Sequence, residues 1–472
     1  MKEFILDASF ALHWCFEDEA TAASEFKSNR LGFDCSGGTV RPAQPSALTP
    51  SAQLLAYLSY VSYNVQMLVR LPILITVLAA GVAAKTPVFE TLYAFTGNPN
   101  GNPAAGVAIG SGGVLYGTTP NGGCSIDHLC GTAYSLTPPA AAGGGWTEDL
   151  IYDLKDMVTP DGLLIGSGGV LYGTGNNGSF GSVFSLTPPS APGASWTETA
   201  LYYRIPFAIG TLAINEDGVL FGAATAGPYQ DSEVYSLTPP TSSGGTWTED
   251  VLHRFTGGSG GGAPAAGVVI TPGGVLYGAT SDGGTSNSGV VFSLTPPRSA
   301  GGQWKEALLY TFTGASDGGT PSGRVVFGAD GVLYSTTSAG GSFGNGTVFS
   351  LTPPASSGGA WTETVLYSFT GGDDGSQPNG GVAIGKDGVL YGTTFYGGAS
   401  TACTSGCGTV FLLKPPASSG SPWTETVLHS FSGSDGSNPQ GTLAIERSTG
   451  VVFGTTSTGG GSGNGTVFGI LP

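Results

Sequence analysis

Short runs of β-branched and aromatic residues alternate with glycine-rich turns through most of the chain, and one of these runs recurs. Its core reads Gly-Val-Leu-Tyr-Gly or a close variant, and it occurs at residues 113–117, 169–173, 218–222, 274–278, 331–335, 388–392 and 450–454. Successive copies begin 49 to 62 residues apart. Self-similarity at a period of this size is typical of a repeat architecture.

Each copy consists of several such runs. In the sixth copy they lie at 381–385, 389–394, 408–413 and 423–431. Asp-Gly between the first two runs favours a tight hairpin, and Pro-Pro ends the third because proline cannot donate to a sheet ladder. No run has the length and period of a helix. Four short strands at this period are typical of a β-propeller blade, whose two faces are covered by neighbouring blades.

The two ends of the chain predict how the ring closes. The fourth run begins with Trp-Thr-Glu or Trp-Lys-Glu in six copies, at Trp146, Trp196, Trp247, Trp304, Trp361 and Trp423. The seventh copy of this run stands at the front, where residues 89–97 repeat its Leu-Tyr-x-Phe-Thr-Gly tail. We therefore predict an all-β, seven-bladed propeller of four-stranded blades over residues 87–472. Strand 87–97 is expected to pair in the last blade, 441–472, which removes exposed sheet edges.

The repeats resemble the GloVer tandem repeats of bacterial exported proteins, which carry Gly-x-Leu-Tyr-Gly-Thr-Thr and Gly-Thr-Val-Phe segments. Residues 388–394 and 408–411 show both segments in one copy. The resemblance covers nearly all of the chain after residue 86. It implies export or surface attachment, and it implies no defined reaction.

Composition limits the class of partner. Charged residues make up 10% of the chain, and the formal net charge is −17. Nucleic-acid binding needs a basic surface, so this charge argues against it. The same charge disfavours anionic membrane surfaces. We therefore expect a monomer whose partner is a protein or a glycan.

The cysteines predict an oxidising compartment. Cys124 and Cys130 lie in one glycine-rich loop, and Cys403 and Cys407 lie in the corresponding loop of another repeat. Close pairs in such loops favour local disulfides. The alternative is a metal site formed by Cys124, His128 and Cys130, but structural zinc normally takes four ligands.

Residues 67–84 form a separate segment with the features of a secretory signal. An arginine precedes an apolar run, and small residues at Val82 and Ala84 are spaced for cleavage after Ala84. The alternative is an uncleaved membrane anchor, because residues 54–69 could lengthen the apolar run. Localisation is accordingly predicted to be extracellular, periplasmic or at the cell surface.

The first 22 residues resemble the opening of PIN-domain ribonucleases, the toxins of bacterial toxin–antitoxin pairs. In Phe4–Trp14 a strand-like run ends at Asp7, and Ala-Ser follows it. The resemblance implies that Asp7 matches the family's first metal-binding carboxylate. Because the match stops here, we interpret residues 1–66 as a PIN-like remnant and linker, and a PIN-type ribonuclease is a remote alternative.

Candidate ligand-binding residues lie where the repeats differ. Loops between the second and third strands, and connections from one blade to the next, emerge on the same side of a propeller, here called the loop rim. These segments contain the candidates Asp282, Asp317, Asp374, Phe395, Tyr396 and Asp435. Asp-Gly-x-x-Pro loops could supply oxygens to Ca²⁺, but each offers few carboxylates. The alternative is that Asp, Gly and Pro simply form turns.

No catalytic residue, resident metal or cofactor is predicted from the sequence. The shortest repeat step leaves out one rim loop near residues 202–207, which predicts a notch between the second and third blades. The main hypothesis is an exported, non-enzymatic propeller that binds a protein or glycan through its variable loop rim. The alternative is a carbohydrate-active hydrolase or lyase that uses rim carboxylates.

Overall fold

The computed structural model describes most of the repeat region. The described residues are 33–34, 41–42, 86–97, 100–123, 130–141, 143–155, 157–191, 193–226, 231–242, 244–299, 301–356, 358–418 and 420–472. The chain divides into two units, Met1–Arg70 and Leu71–Pro472. In the first unit, Phe33–Asp34 pairs antiparallel with Arg41–Pro42.

The predicted PIN-like segment with Asp7 and the predicted signal at 67–84 lie outside the described residues. Within the described ranges, no helix has the length and apolar character needed to span a bilayer.

Seven antiparallel sheets form the blades of a propeller, each with four strand positions ordered from the axis outward, and in blades 2 and 5 the innermost position is divided between two short strands. The strands of blade 1 are Ala108–Ile109, Leu115–Gly123, Cys130–Thr137 and Thr147–Leu154. Those of blade 2 are Thr159–Pro160 with Leu164–Ile165, then Leu171–Asn176, Gly181–Thr187 and Thr197–Ile205. Those of blade 3 are Phe207–Ile214, Leu220–Thr225, Ser232–Thr238 and Thr248–Phe255. Those of blade 4 are Val269–Ile270, Leu276–Thr280, Val290–Thr295 and Lys305–Thr311.

The remaining blades follow the same plan. The strands of blade 5 are Gly319–Pro321 with Val326–Phe327, then Leu333–Ala339, Thr347–Thr352 and Thr362–Ser368. Those of blade 6 are Ala383–Ile384, Leu390–Thr394, Thr409–Lys414 and Thr424–Ser430. Those of blade 7 are Ala444–Ile445, Val452–Thr456, Thr466–Leu471 and, as the outer strand, Val88–Ala94. Single 3-10 turns lie at Ser111–Gly113, Ser167–Gly169, Gly258–Gly260, Ala329–Gly331 and Lys386–Gly388.

The N-terminal strand closes the ring, as predicted. Val88–Ala94 pairs antiparallel with Thr466–Leu471, with Val88 opposite Leu471. Phe89 stands where the other outer strands have the glutamate of Trp-Thr-Glu, and its ring stacks on His429 of blade 6 at 3.6 Å. This strand is therefore tied to blade 7 by main-chain pairing and to blade 6 by aromatic packing.

The repeated residues pack the blades together. The leucine of Gly-Val-Leu-Tyr-Gly is fully buried in blade after blade. The tyrosine of the same motif meets a tryptophan of the next blade edge to face, as Tyr116 meets Trp196 and Tyr334 meets Trp423. Asp387 and Gly388 both have positive φ in the turn between the first two strands of blade 6. Asp-Gly fits this tight turn because both residues tolerate the left-handed conformation.

Candidate functional site

Inner segments of all seven blades surround a cavity of about 840 Å³ on the propeller axis. The lining segments are 104–109, 161–165, 209–211, 263–267, 320–324, 379–381 and 440–443. Thr225 and Ser281, at or just after the ends of two second strands, also line it on the side of the loop rim. The cavity is therefore an axial channel to which every blade contributes.

Two successive residues from each inner segment form two rings around this axial channel. Ring A lies nearer to the loop rim and contains Ala105, Asp161, Gly210, Ala266, Gly323, Gly380 and Gly441. Ring B follows by one residue and contains Gly106, Gly162, Thr211, Gly267, Arg324, Gly381 and Thr442. Glycine and alanine predominate, and Asp161 and Arg324 are the charged exceptions.

Small residues predominate in these rings because neighbouring segments nearly touch. In ring B, a Cβ added to Gly267 would collide with the backbone oxygen of Thr211 in the preceding blade. In ring A, a Cβ added to Gly441 would collide with the backbone nitrogen of Gly106 in the following blade. Side chains of ring B therefore point toward the preceding blade, and those of ring A toward the following blade.

Asp161 extends from blade 2 toward blade 3, as the geometry of ring A requires. Its Oδ2 accepts the backbone N–H of Gly210 at 3.1 Å. Gly210 has φ 67° at a bulge in Phe207–Ile214, where only Pro206 separates the strand from blade 2. Burial raises the pKa of Asp161 to about 6, against the opposing effect of the Gly210 hydrogen bond. The carboxylate is thus mostly ionised at neutral pH and gains a proton in mild acid.

Arg324 extends from blade 5 toward blade 4, as the geometry of ring B requires. Its Nη2 donates to the backbone oxygen of Val268 at 2.8 Å. Its Nε is buried and has no hydrogen-bond partner among the described residues. Burial lowers the pKa of Arg324 to about 10, which still leaves the guanidinium charged at neutral pH. Neither Arg324 nor Asp161 forms an ion pair with another described residue.

Ser335 supports the segment that carries Arg324. In the other six copies of the second-strand motif, this position is glycine. The Ser335 hydroxyl is fully buried and donates to the Gly323 oxygen at 2.8 Å, with the Arg324 oxygen at 3.4 Å. Blade 5 thus departs from the repeat at two residues that are in direct contact.

Sequence comparison places the chain in a repeat family. The model for the Gloeobacter/Verrucomicrobia repeat matches residues 208–468, which is more than half of the chain. The protein belongs to this family. The assignment confirms the resemblance to GloVer repeats. No curated protein matches the sequence.

Solved structures share the fold of this Gloeobacter/Verrucomicrobia repeat protein. A streptogramin B lyase has a TM-score of 0.50 at 15% identity, covering 82% of this chain and 97% of that chain. A catalytically inactive virginiamycin B lyase from Staphylococcus aureus with quinupristin has a TM-score of 0.50 at 14% identity, covering 82% and 99%. Identities this low show a common fold alone and do not bear on activity.

The predicted rim aspartates of the Gloeobacter/Verrucomicrobia repeat protein are hydrogen-bonded within their own loops. Asp374 accepts from the backbone N–H and the hydroxyl of Thr370 and from the Tyr367 hydroxyl. Asp317 and Asp435 make the corresponding contacts, with His429 replacing the tyrosine for Asp435. These carboxylates therefore hold the turns that connect the blades.

The other predicted rim residues lie outside the channel lining. Asp282 Oδ1 accepts the backbone N–H of Ala263 at 2.5 Å. Phe395 and Tyr396 are half-buried and meet edge to face at 4.7 Å. Across the described part of the chain, no three His, Cys, Asp or Glu residues are grouped to hold a metal ion.

One predicted disulfide of this family member is directly visible. Cys403 and Cys407 are joined, with an S–S distance of 2.04 Å. Cys130 is also disulfide-bonded, and its predicted partner Cys124, like His128, lies outside the described residues.

Sequence reasoning missed both charged channel residues. Asp161 and Arg324 do not belong to a motif, and neither lies in a rim loop. The signal was available in the repeat register, because Asp161 stands where the other copies have glycine or alanine, and Arg324 stands one position later, where they have glycine or threonine. Aligning the copies at these two positions would have singled them out.

Two pairs of neighbouring carboxyl groups lead us to expect that the protein is more stable at mildly acidic than at mildly alkaline pH. Burial and the neighbouring Asp317 raise the pKa of Glu363 to about 7, and burial and Asp374 do the same for Glu425. A group whose pKa is raised by folding contributes stability below its unfolded pKa, near 4.5, and loses that contribution as pH rises through about 7. The melting temperature is therefore expected to fall between mildly acidic and mildly alkaline pH.

Replacing Glu363 and Glu425 together by glutamine should flatten this dependence and raise the melting temperature in alkaline buffer. Both glutamates are partly exposed, so solvent screening reduces the effect to about 1 kcal/mol or less for each group. Thermal melts followed by circular dichroism across the pH range would measure it. The exposed Glu216→Gln is the control, and an unchanged pH slope in the double variant would contradict the assignment.

Proposed function

We propose that this protein is an exported, non-enzymatic propeller that binds a protein or glycan partner at the loop-rim mouth of its axial channel. The observation that supports this proposal is the channel itself, which every blade lines. Concave sites with a few placed polar groups are the usual form of a binding pocket. The disulfide between Cys403 and Cys407 fits an oxidising compartment outside the cytoplasm.

Binding is favoured over glycoside hydrolysis because the latter normally uses two carboxyl groups across the scissile bond. Among the described lining residues of the channel, Asp161 is the sole carboxyl group. Asp317, Asp374 and Asp435 are held by hydrogen bonds within their loops. The pairs Asp317–Glu363 and Asp374–Glu425 lie outside the described channel lining, and the aspartate of each pair holds its own turn.

A lyase is the second candidate, because an elimination needs one base where hydrolysis needs two carboxyl groups. Asp161, with a pKa of about 6, could remove a proton from the carbon beside a sugar carboxylate. The electrons of that C–H bond would form a carbon–carbon double bond, and the glycosidic oxygen would leave with its bonding pair and take a proton from water. Arg324 in the same channel would hold the carboxylate.

A glycan-binding screen on the full chain tests the proposed function. Asn379 and Gln440 line the channel just before ring A, so replacing both by alanine should weaken binding at least tenfold, since each good polar contact contributes about 1 kcal/mol. Ser418→Ala on the opposite rim, where the side chain is exposed, is the control.

Undiminished binding by the double variant would contradict a site at the channel mouth. An unsaturated sugar product, seen by its ultraviolet absorbance, would favour the lyase. A blank glycan screen followed by a blank search for protein partners would overturn the proposal.

A further inference from the structure

We propose that Arg324 recognises the carboxylate of an acidic sugar in the axial channel and that Ser335 positions it. This inference deepens the proposed function and rests on it. It names the chemical class of the ligand and the residue that selects it.

The first argument is the unmet hydrogen-bonding capacity of a cation that lines the channel. A guanidinium has five N–H donors, and the structure records one bond from this group, from Nη2 to the Val268 oxygen. Nε is buried without a partner. The side chain is otherwise partly exposed and lines the channel, so its remaining Nη N–H donors can meet a ligand there. A carboxylate matches the planar fork of arginine and would supply two acceptors at once.

The second argument is that blade 5 departs from the repeat at this place. Ring B is Gly or Thr in the other six blades, and the second-strand position of Ser335 is Gly in the other six. The Ser335 hydroxyl holds the Gly323 oxygen at 2.8 Å and lies 3.4 Å from the Arg324 oxygen. The serine therefore fixes the backbone from which the arginine extends.

The third argument concerns the rest of the ligand. The described lining of the channel offers hydroxyl and amide side chains and no aromatic ring, the uncharged polar members being Thr211, Thr225, Ser281, Thr320, Ser322, Asn379, Gln440 and Thr442. Such groups suit the hydroxyls of a sugar. Asp161 in ring A would accept a sugar hydroxyl but would repel a second anionic group. The channel thus favours a sugar with one carboxylate over a multiply charged anion.

Titration calorimetry on the full chain tests this inference, with glucuronate, glucose, acetate and inorganic phosphate as probes. The wild type is expected to bind glucuronate at least tenfold more tightly than glucose. Arg324→Gln should remove that preference by weakening glucuronate binding at least tenfold. Arg324→Lys keeps the charge but loses the planar fork, so it should retain part of the preference.

Ser335→Gly separates positioning from direct contact, because it restores the repeat residue. We expect it to weaken glucuronate binding about threefold to tenfold and to leave glucose binding unchanged. Circular dichroism melts would confirm that each variant folds. If Arg324→Gln does not fold, Arg324→Lys and Ser335→Gly still test the selectivity.

Equal affinity for glucuronate and glucose, or an unaltered preference in the Arg324 variants, would overturn the inference. Acetate or phosphate bound as tightly as glucuronate would also overturn it, because the site would then recognise any small anion. Binding of a neutral glycan or a protein that depends on Asn379 and Gln440 would leave the proposed function standing while the inference fails. Loss of all binding would remove both.

Discussion

A chain that begins at residue 98 is expected to lose the cooperative unfolding of the closed ring. The deletion removes Val88–Ala94 and leaves Thr466–Leu471 without its outer partner. It also removes Leu92 and Phe95, which are buried against Tyr134. Burial of such side chains contributes roughly 1.5–3 kcal/mol each. The unpaired edge would in addition favour association between molecules.

The matched control is a chain that begins at residue 86 and keeps the strand. Thermal melts and size-exclusion chromatography would compare the two chains, and Leu92→Ala should fall between them with a cost of about 2–5 kcal/mol. Adding a peptide of residues 86–97 to the shorter chain should restore part of the transition. Equal melting temperatures for the two chains would show that the seam contributes little to stability.

The closure itself could be predicted from sequence because it follows from counting strands. Six outer strands begin with Trp, and residues 89–97 match the end of a seventh. Every blade is complete only if this N-terminal segment supplies the outer strand of the last blade. The substitution at the seam could not be foreseen in the same way. Phe89 replaces a glutamate and stacks on His429, a contact that depends on the relative placement of the outer strands of blades 7 and 6.

The charged residues of the channel were not predicted from the sequence. Asp161 and Arg324 are far apart in the chain, and they face one cavity because the ring brings every inner segment to the axis. The rim aspartates stood out in the sequence because they belong to a recurring motif, whereas Asp161 and Arg324 do not. Asp317 and Asp374 nevertheless form hydrogen bonds within their own turns. Asp beside Gly more often reflects turn chemistry than ligand binding. The more informative signal was a charge where the other copies have a small uncharged residue.

Gly392→Val is expected to destabilise the protein strongly because an aromatic ring covers this glycine. A Cβ at Gly392 would collide with the ring of Phe411. Phe411 is fully buried and packed against Phe369 at 5.1 Å, so its ring has little room to move. Overpacking of a core usually costs about 1–3 kcal/mol and occasionally more, and we expect at least about 3 kcal/mol here. Urea denaturation would measure the loss.

Two further variants give this prediction its controls. Gly461→Val lies on an exposed loop with open space around its Cα, so its cost should stay within about 0.5 kcal/mol. Gly392→Ser should cost less than valine, because Ser335 occupies the same repeat position and bonds to the Gly323 oxygen of the inner segment. If valine at 392 were tolerated as well as valine at 461, the repeated glycine would not be required by the ring above it. The backbone conformation would then be the remaining reason for glycine at this position. That reason is weak, because φ of Gly392 is not positive.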